Sequence, residues 1–354
     1  MGKTLRIVAD RNIPFVREAI DSLGETLYLP GDAITPEVMR ETDILLTRTR
    51  TRCDSSLLAG SHCTFIGTAT IGTDHIDLPY CQSQGITVAN APGCNAPAVA
   101  QYVLAAIAST LKPDETLSEK TIGIIGAGNV GSILERWARG LGMKVMLNDP
   151  PLQEKGTDGR EFVSLDEIAR NCDVITVHTP LTREGDHPTY HLIDEAFLAG
   201  TTRRPMIINA ARGPVTDTSA LKNALRDGRI SAVAIDCWEG EPAIDTELLA
   251  LATVATPHIA GYSQEGKIRA TSMVLDALAP HLSSRYGLDI TAEKLKASLP
   301  TVHPVPHTIR EEDIDYDIKA DTATLKSVPA DKLPATFESL RNNYNLRPEP
   351  HSDL

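Results

Sequence analysis

Between Thr121 and Asp149 the chain reads TIGIIGAGNVGSILERWARGLGMKVMLND, and no other stretch restricts the fold as tightly. Ile122, Ile124 and Ile125 form a short β-branched apolar run, which predicts a buried parallel strand. Gly126-x-Gly128-x-x-Gly131 follows, and then an amphipathic helix. In such an arrangement the first glycine permits a sharp turn and the second lets a pyrophosphate approach bare backbone. The third lets helix and strand pack closely, with the helix N-terminus facing the phosphates. A second strand, Lys144 to Leu147, leads to Asp149. An acid there is placed to accept both ribose hydroxyls of NAD and to repel the extra phosphate of NADP. A glycine fingerprint alone is weak evidence, because packing glycines imitate it. Here strand, glycines, helix, strand and acid all fall at the spacing a dinucleotide site requires.

The rest of the chain fits around this unit as α/β structure. LRIVAD, TLYL, DILLT and FIGTAT alternate with helical stretches at PFVREAIDSLG, near Pro36 to Glu41, and ending near Leu58. Such alternation predicts a parallel sheet with helices on both faces. Met1 to Asp10 reads directly as a first strand, with no charged-then-apolar leader. APGCNAPAVAQYVLAAIASTL then predicts a crossover helix capped by Asn95, with Val99, Tyr102, Val103, Ala106 and Ile107 on one face. Alternation resumes through VMLND, DVITVHTPL, PMIINAARG, AVAIDCWE and TVATPH. A last helix, IAGYSQEGKIRATSMVLDALAPHL, could return to the first sheet, making two crossings and a hinge that closes over cofactor and substrate.

The expected fold class is therefore α/β, with two doubly wound parallel-sheet domains and a short C-terminal extension. Residues 1–93 and 257–285 would form a flavodoxin-like substrate domain, and 94–256 a Rossmann NAD domain. Past about Arg285, prolines at 300, 304, 306, 329, 334, 348 and 350 and the acidic REEDIDYD mark 286–354 as a separate, less compact tail. It would be either a linker with a small oligomerisation element or a partly disordered end.

Bulk properties narrow the function. The 354 residues carry 34 Lys and Arg against 47 Asp and Glu, a net charge of −13, which argues against a general binder of nucleic acid or anionic membrane. A local basic pocket for an anionic substrate remains compatible with this balance. No apolar run is long enough for a membrane span, so the expected compartment is the cytosol. The six cysteines show neither C-x-x-C nor clustering with His, so reduced thiols and no metal are expected.

Three residues beyond the fingerprint bear chemistry. Arg212 in INAARGPVTD, Glu241 in DCWEGEP and His258 in ATPHIAGY all lie at or beyond strand ends, on the side where a nicotinamide would lie. Oxidising a 2-hydroxy acid needs a proton acceptor and a fixed cation for the carboxylate. His258 suits the first task, with Glu241 fixing its tautomer. Arg212 suits the second, through the two parallel hydrogen bonds of its planar fork. Taken singly, each has an ordinary explanation: a surface ion pair, a loop charge, a structural histidine. Together, downstream of the fingerprint, they favour a catalytic triad.

GIIGAGNVG, HTPL, NAARG, DCWEGEP and TPHIAG, in this order, resemble the D-isomer-specific 2-hydroxyacid dehydrogenases over about residues 65 to 275. GTATIGTDHID, APGCNAPAVAQYV, the Asp149-Pro150-Pro151 turn, TYHLID and TPHIAGYSQEGKIRAT resemble a branch of that family that oxidises a phosphorylated four-carbon 2-hydroxy acid on the route to pyridoxal phosphate. The resemblance implies that His258 transfers the proton, with Arg212 and Glu241 completing the active site. It implies NAD contacts at Gly126, Gly128, Asn129, Val130, Gly131, Asp149, Thr179, Ala210, Ala211, Arg212, Asp236 and Gly261. Substrate contacts would fall at Thr49, Thr70 and Tyr262, the two threonines ending strands of the first sheet. Arg48 or Arg50 could meet the phosphate; both are equally well explained as solvated surface arginines.

Arg11 stands where the branch carries an acid. LPATFESLRNNYNLR resembles part of the branch's dimerisation domain, and the chain stops soon after it. The partners implied are a small anionic phosphorylated 2-hydroxy acid and a second copy of the chain, with Arg341 and Arg347 able to reach the partner's site. Two other readings stay open: a sister dehydrogenase acting on 3-phosphoglycerate or on glyoxylate and hydroxypyruvate, and a non-catalytic NAD sensor built on the same fold. Asp149→Ala should weaken NAD binding by at least about tenfold, the size of a lost charge-assisted hydrogen bond, and should narrow the preference against NADP. Parallel titrations with NADH and NADPH check this, and unchanged discrimination would contradict the role given to Asp149.

Overall fold

The structure, a computed structural model, describes residues 4–351. The chain divides into two compact units, Met1–Asn95 with Ser263–His303, and Ala96–Tyr262 with Pro304–Leu354. Each is built on its own all-parallel sheet, so the fold is α/β and doubly wound, as the alternation predicts.

In the first unit the strands are β1 (Leu5–Asp10), β2 (Gly24–Leu29), β3 (Ile44–Thr47), β4 (Phe65–Thr68) and β5 (Thr87–Ala89), in the order β2-β1-β3-β4-β5. This is the flavodoxin-like order. Of the first strand expected from Met1, positions 1–3 lie outside the described residues. β5 and the helix Leu78–Ser83 before it have too few residues to show a period, yet Asp77 caps that helix by accepting the Tyr80 N–H at 2.9 Å. The long helix Gln264–Tyr286 belongs to this unit, and its start is capped by Ser263, whose hydroxyl accepts the Gly266 N–H at 3.0 Å. Val274, Leu275, Leu278 and Leu282 of this helix are buried with Ile7, Ile44, Leu46 and Phe65 of the sheet. Gly67 in β4 makes the approach possible, since a Cβ there would lie 2.5 Å from Val274 Cγ1. At the far end Gly287, with φ 68°, closes the helix in the left-handed conformation.

In the second unit the strands are β6 (Thr121–Ile125), β7 (Lys144–Asn148), β8 (Val174–Val177), β9 (Met206–Asn209), β10 (Ala232–Ile235) and β11 (Val254–Ala255), in the order β11-β10-β9-β8-β6-β7. The chain direction across the sheet reverses between β6 and β8, so the crevice beyond their carboxyl ends is where a doubly wound sheet takes its ligand. The helix Ala96–Thr110 differs from the one-faced pattern expected of it. Ala96 through Ile107 are all buried, because its small residues let it pack on every side.

The tail is not a separate, loose extension. Residues 286–303 belong to the first unit and 304–351 pack onto the second. Trp137 donates its indole N–H to the Pro306 carbonyl at 2.9 Å, and Ile309, Ile314 and Ile318 join the core around the helix Ala96–Thr110. The helix Ile318–Lys326 covers the edge strand β11, where Thr322 Oγ1 accepts the Ala255 N–H at 3.2 Å. That occupies a backbone donor an exposed sheet edge would leave open. Leu333 and Phe337 of the helix Leu333–Asn342 are buried in the core on the other face of the sheet. The prolines that suggested irregularity sit where prolines are tolerated: Pro334, for example, is in a helix's first turn. Phe337 is fully buried, so Phe337→Ala should destabilise the second unit by about 3–5 kcal/mol. Denaturant unfolding measures this, and a loss under about 1 kcal/mol would mean the tail is not part of the core.

Candidate active site

At the end of β6 the chain turns through Gly126 with φ 93°, and a Cβ there would lie 2.8 Å from the His178 carbonyl. A Cβ on Gly131 would fall 2.1 Å from the Gly126 oxygen, so helix and turn touch through bare backbone. Around Gly128 a Cβ would meet nothing within 4 Å, which leaves its backbone open at the start of the helix Asn129–Gly140. Asp149 ties this loop to the next element: Oδ2 accepts the Ala127 N–H at 2.8 Å and Oδ1 the Leu152 N–H at 3.0 Å. Each oxygen keeps a further lone pair for a ribose hydroxyl. Thr179, after β8, has a buried hydroxyl with no partner among the described residues. An orphaned polar atom beside an open glycine loop fits a polar ligand such as NAD.

Beyond β9, Asn209 builds the turn that presents Ala210, Ala211 and Arg212. Its Oδ1 accepts the Ala211 N–H at 3.1 Å, and its Nδ2 donates to the Arg212 carbonyl at 3.0 Å. Gly213 is required next, because a Cβ would overlap the Trp238 carbonyl at 2.0 Å. The half-buried Arg212 donates from Nη1 to the Ala211 carbonyl at 2.9 Å.

Beyond β10 the chemistry converges. Glu241 Oε1 accepts the Trp238 N–H at 2.7 Å, and Oε2 lies 2.8 Å from His258 Nδ1. With Nδ1–H committed to the carboxylate, Nε2 of the neutral ring is the basic nitrogen. Burial pushes the Glu241 carboxyl up. The His258 hydrogen bond and charge, the Trp238 N–H and the Arg341 guanidinium outweigh this and bring it below the ordinary glutamate range. The Cys237 thiol shares this corner, within 4.8 Å of the Glu241 and His258 ligand atoms. Burial pushes it far above its usual range, and it donates to the Ala211 carbonyl at 3.3 Å.

His258 itself has φ 58°, a left-handed conformation uncommon for a residue with a Cβ. Asp236 holds it there. The Asp236 backbone carbonyl accepts the His258 N–H at 2.9 Å. The buried carboxylate accepts the N–H groups of Ile259 at 2.8 Å and Ala260 at 2.9 Å and the Thr256 hydroxyl at 2.6 Å. Gly261 and Tyr262 follow on the same loop, both half-buried. Of the expected site residues, Arg212, Asp236, Glu241, His258, Gly261 and Tyr262 thus cluster beyond the strand ends of the second unit. Thr49 and Thr70 lie in the first unit, after the adjacent strands β3 and β4; Thr49 is exposed and the Thr70 hydroxyl donates to the Gly72 carbonyl at 3.1 Å. Arg11 and Arg50 are exposed there and Arg48 half-exposed.

Sequence reasoning missed Asn209, Trp238 and Thr256 as supports, though each lies inside a string that was singled out. It also missed that the second unit's own tail reaches this corner. Arg341 Nε donates to the Tyr262 hydroxyl at 3.3 Å, with Nη1 4.0 Å from Glu241 Oε2. Arg347 is buried and donates to the carbonyls of Ala98 at 2.9 Å, Ile259 at 3.1 Å and Tyr262 at 3.3 Å, and to that of Ala260. Both arginines thus make contacts within their own chain.

Comparison with known proteins gives this geometry a family. The profile of the D-isomer specific 2-hydroxyacid dehydrogenase NAD binding domain matches residues 100–260. Erythronate-4-phosphate dehydrogenase of Bacteroides fragilis is 46% identical over 348 residues, covering 98% of this chain and 97% of that one. The chain belongs to the erythronate-4-phosphate dehydrogenase family. The Pseudomonas aeruginosa member is 42% identical over 355 residues, covering 98% of this chain and 93% of that one. Among solved structures, D-lactate dehydrogenase from Aquifex aeolicus, complexed with NAD and lactic acid, matches with a TM-score of 0.66 and 26% identity over 83% of this chain and 98% of that one. This family member is an NAD-dependent 2-hydroxyacid dehydrogenase, and its glycine loop, Asp149 and the orphaned Thr179 hydroxyl fit the cofactor.

Glu241, held below the ordinary glutamate range, places a carboxylate 2.8 Å from His258 Nδ1. Glu241→Gln keeps the size of the side chain but removes the charge that faces the ring and stabilises the imidazolium formed during proton transfer. The rate should fall by on the order of 10²-fold or more. Steady-state kinetics of the variant measure this, and a loss under about tenfold would contradict the role given to Glu241.

Proposed function

We propose that this chain oxidises 4-phospho-D-erythronate at C2, giving 2-oxo-3-hydroxy-4-phosphobutanoate, in the biosynthesis of pyridoxal 5′-phosphate. The observation that carries the reading is the Glu241–His258 pair, with Nδ1 tied at 2.8 Å and Nε2 left basic, in a chain of this family. In the proposed reaction His258 Nε2 takes the C2 hydroxyl proton while the C2–H bond breaks and the carbonyl forms. Glu241 stabilises the imidazolium that results. Arg212 grips the substrate carboxylate through its two-pronged donor face and polarises the developing carbonyl oxygen. NAD, bound on the Gly126–Gly131 loop, supplies the acceptor for the hydride. Thr49, Thr70 and Tyr262 are proposed as further substrate contacts, on the resemblance of their strings to those of the family.

Two finer parts of the proposal are a cytoplasmic location and a homodimer. No helix among the described residues is long and apolar enough to cross a membrane, which is compatible with the first. The likeness of LPATFESLRNNYNLR to the family's dimerisation segment supports the second, and a sedimentation-equilibrium mass of one chain would overturn it.

A hydride-transfer assay with NAD tests the function, with a 2-oxo acid present to reoxidise bound NADH and with 4-phosphoerythronate and 3-phosphoglycerate offered separately. Turnover of the four-carbon phosphate is expected; turnover of 3-phosphoglycerate alone would move the substrate to a sister enzyme. His258→Ala should lower turnover by about 10²- to 10⁴-fold while leaving NADH binding nearly intact. Equal loss of cofactor affinity would contradict the assignment of His258 to proton transfer.

A further inference from the structure

Arg341 is a cation whose donors the fold leaves mostly unused. Its side chain is 23% exposed, on the helix Leu333–Asn342. Nε donates to the Tyr262 hydroxyl at 3.3 Å, and Nη1 comes within 4.0 Å of Glu241 Oε2, beyond hydrogen-bond reach. Neither Nη1 nor Nη2 has a hydrogen-bond acceptor among the described residues, and the partly exposed side chain leaves both open to a ligand. By contrast, Arg347, six residues on, spends its donors on four backbone carbonyls and on Gln101.

The position of Arg341 is fixed from both sides. Phe337 anchors its helix in the core, and Arg347 fastens the following chain to the loop Ile259–Tyr262. Arg341 is thus held beside the His258–Glu241 pair on its own unit. Both Arg212 and Arg341 lie close enough to Cys237 for their charges to act on its thiol, so two guanidiniums flank one corner. A proton acceptor in the same corner as two cations suits a substrate with an anionic group at each end.

Resting on the function proposed above, we propose that Arg341 binds the terminal phosphate of the substrate while Arg212 takes its carboxylate. The C-terminal helix then supplies the residue that selects a phosphorylated acid over its unphosphorylated counterpart. The fork of Nη1 and Nη2 matches two phosphate oxygens, and Tyr262 holds the third face of the guanidinium in place.

The test compares the wild-type chain with Arg341→Met and Arg341→Lys on 4-phosphoerythronate and on erythronate. NADH binding and the unfolding midpoint are measured alongside as controls of folding. Arg341→Met should raise KM for 4-phosphoerythronate by roughly 10- to 100-fold, the size of lost charge-assisted hydrogen bonds, and should lower kcat/KM for 4-phosphoerythronate at least about tenfold more than kcat/KM for erythronate, which shares any loss transmitted through Glu241 or Tyr262. Arg341→Lys should recover part of the loss, and inorganic phosphate should inhibit the wild type competitively but the Met variant more weakly. Equal losses on both substrates would make Arg341 a support for Glu241 and Tyr262 and overturn the proposal, as would no change on either. If the wild type does not turn over 4-phosphoerythronate at all, the function proposed above fails and this role fails with it. Turnover with unaltered discrimination in Arg341→Met sinks only the role of Arg341.

Discussion

Everything at the catalytic corner depends on one buried carboxylate. Asp236 sits at the end of β10, where burial pushes its carboxyl up even though every nearby donor works to hold it down. Its side chain gathers two backbone N–H groups and a hydroxyl, and its carbonyl takes the His258 N–H. Four bonds from one residue hold His258 at φ 58° and so decide where the imidazole goes. Such a conformation costs on the order of 1 kcal/mol or more and persists only when the surroundings over-determine it. Here they do: Thr256, which donates to Asp236, is bonded by the Tyr102 hydroxyl at 2.8 Å and takes the Trp238 indole N–H on its carbonyl at 2.9 Å. The result is a histidine whose backbone is immobilised before any substrate arrives, the kind of preorganisation that proton transfer rewards.

A second layer of the same logic is electrostatic. Glu241 is ionised because its hydrogen bonds and neighbouring cations outweigh its burial. It can therefore both set the tautomer of His258 and pay the charge on the ring when the proton arrives. Cys237, in the same corner, is left a neutral thiol by its burial and so does not compete for that proton. On the other side of the cofactor site Asp149 performs two tasks with one carboxylate, bracing the glycine loop through Ala127 and capping the helix Pro150–Lys155 through Leu152. A residue expected for ribose recognition alone is also part of the scaffold that shapes the loop.

Local pattern made much of this legible. The glycine fingerprint is readable because its parts are consecutive and each has a steric reason, as the clashes a Cβ would meet at Gly126 and Gly131 make plain. The two parallel sheets were legible from alternation, whereas β5 was not, because three residues carry no period. Arg212, Glu241 and His258 were found as residues at strand ends within recognisable strings. What could not be read was the tail. Its prolines suggested looseness, and its contacts span long separations: Arg341 meets Tyr262 across 79 residues, and Arg347 meets Ala98 across 249. Periodicity is blind to such pairings, and only the buried Phe337, Leu333 and Ile318 hint at a packed face.

The central claim is that the neutral His258 ring carries its proton on Nδ1, facing Glu241, and keeps Nε2 as the base. The most direct measurement is a long-range proton–nitrogen correlation spectrum of the full chain labelled with nitrogen-15 histidine, recorded on the alkaline side of the histidine titration and assigned by comparison with His258→Ala. The account predicts a His258 ring with a protonated Nδ1, its proton deshielded by the carboxylate, and an unprotonated Nε2. A ring with the proton on Nε2, or one averaging freely between the two tautomers, would contradict it.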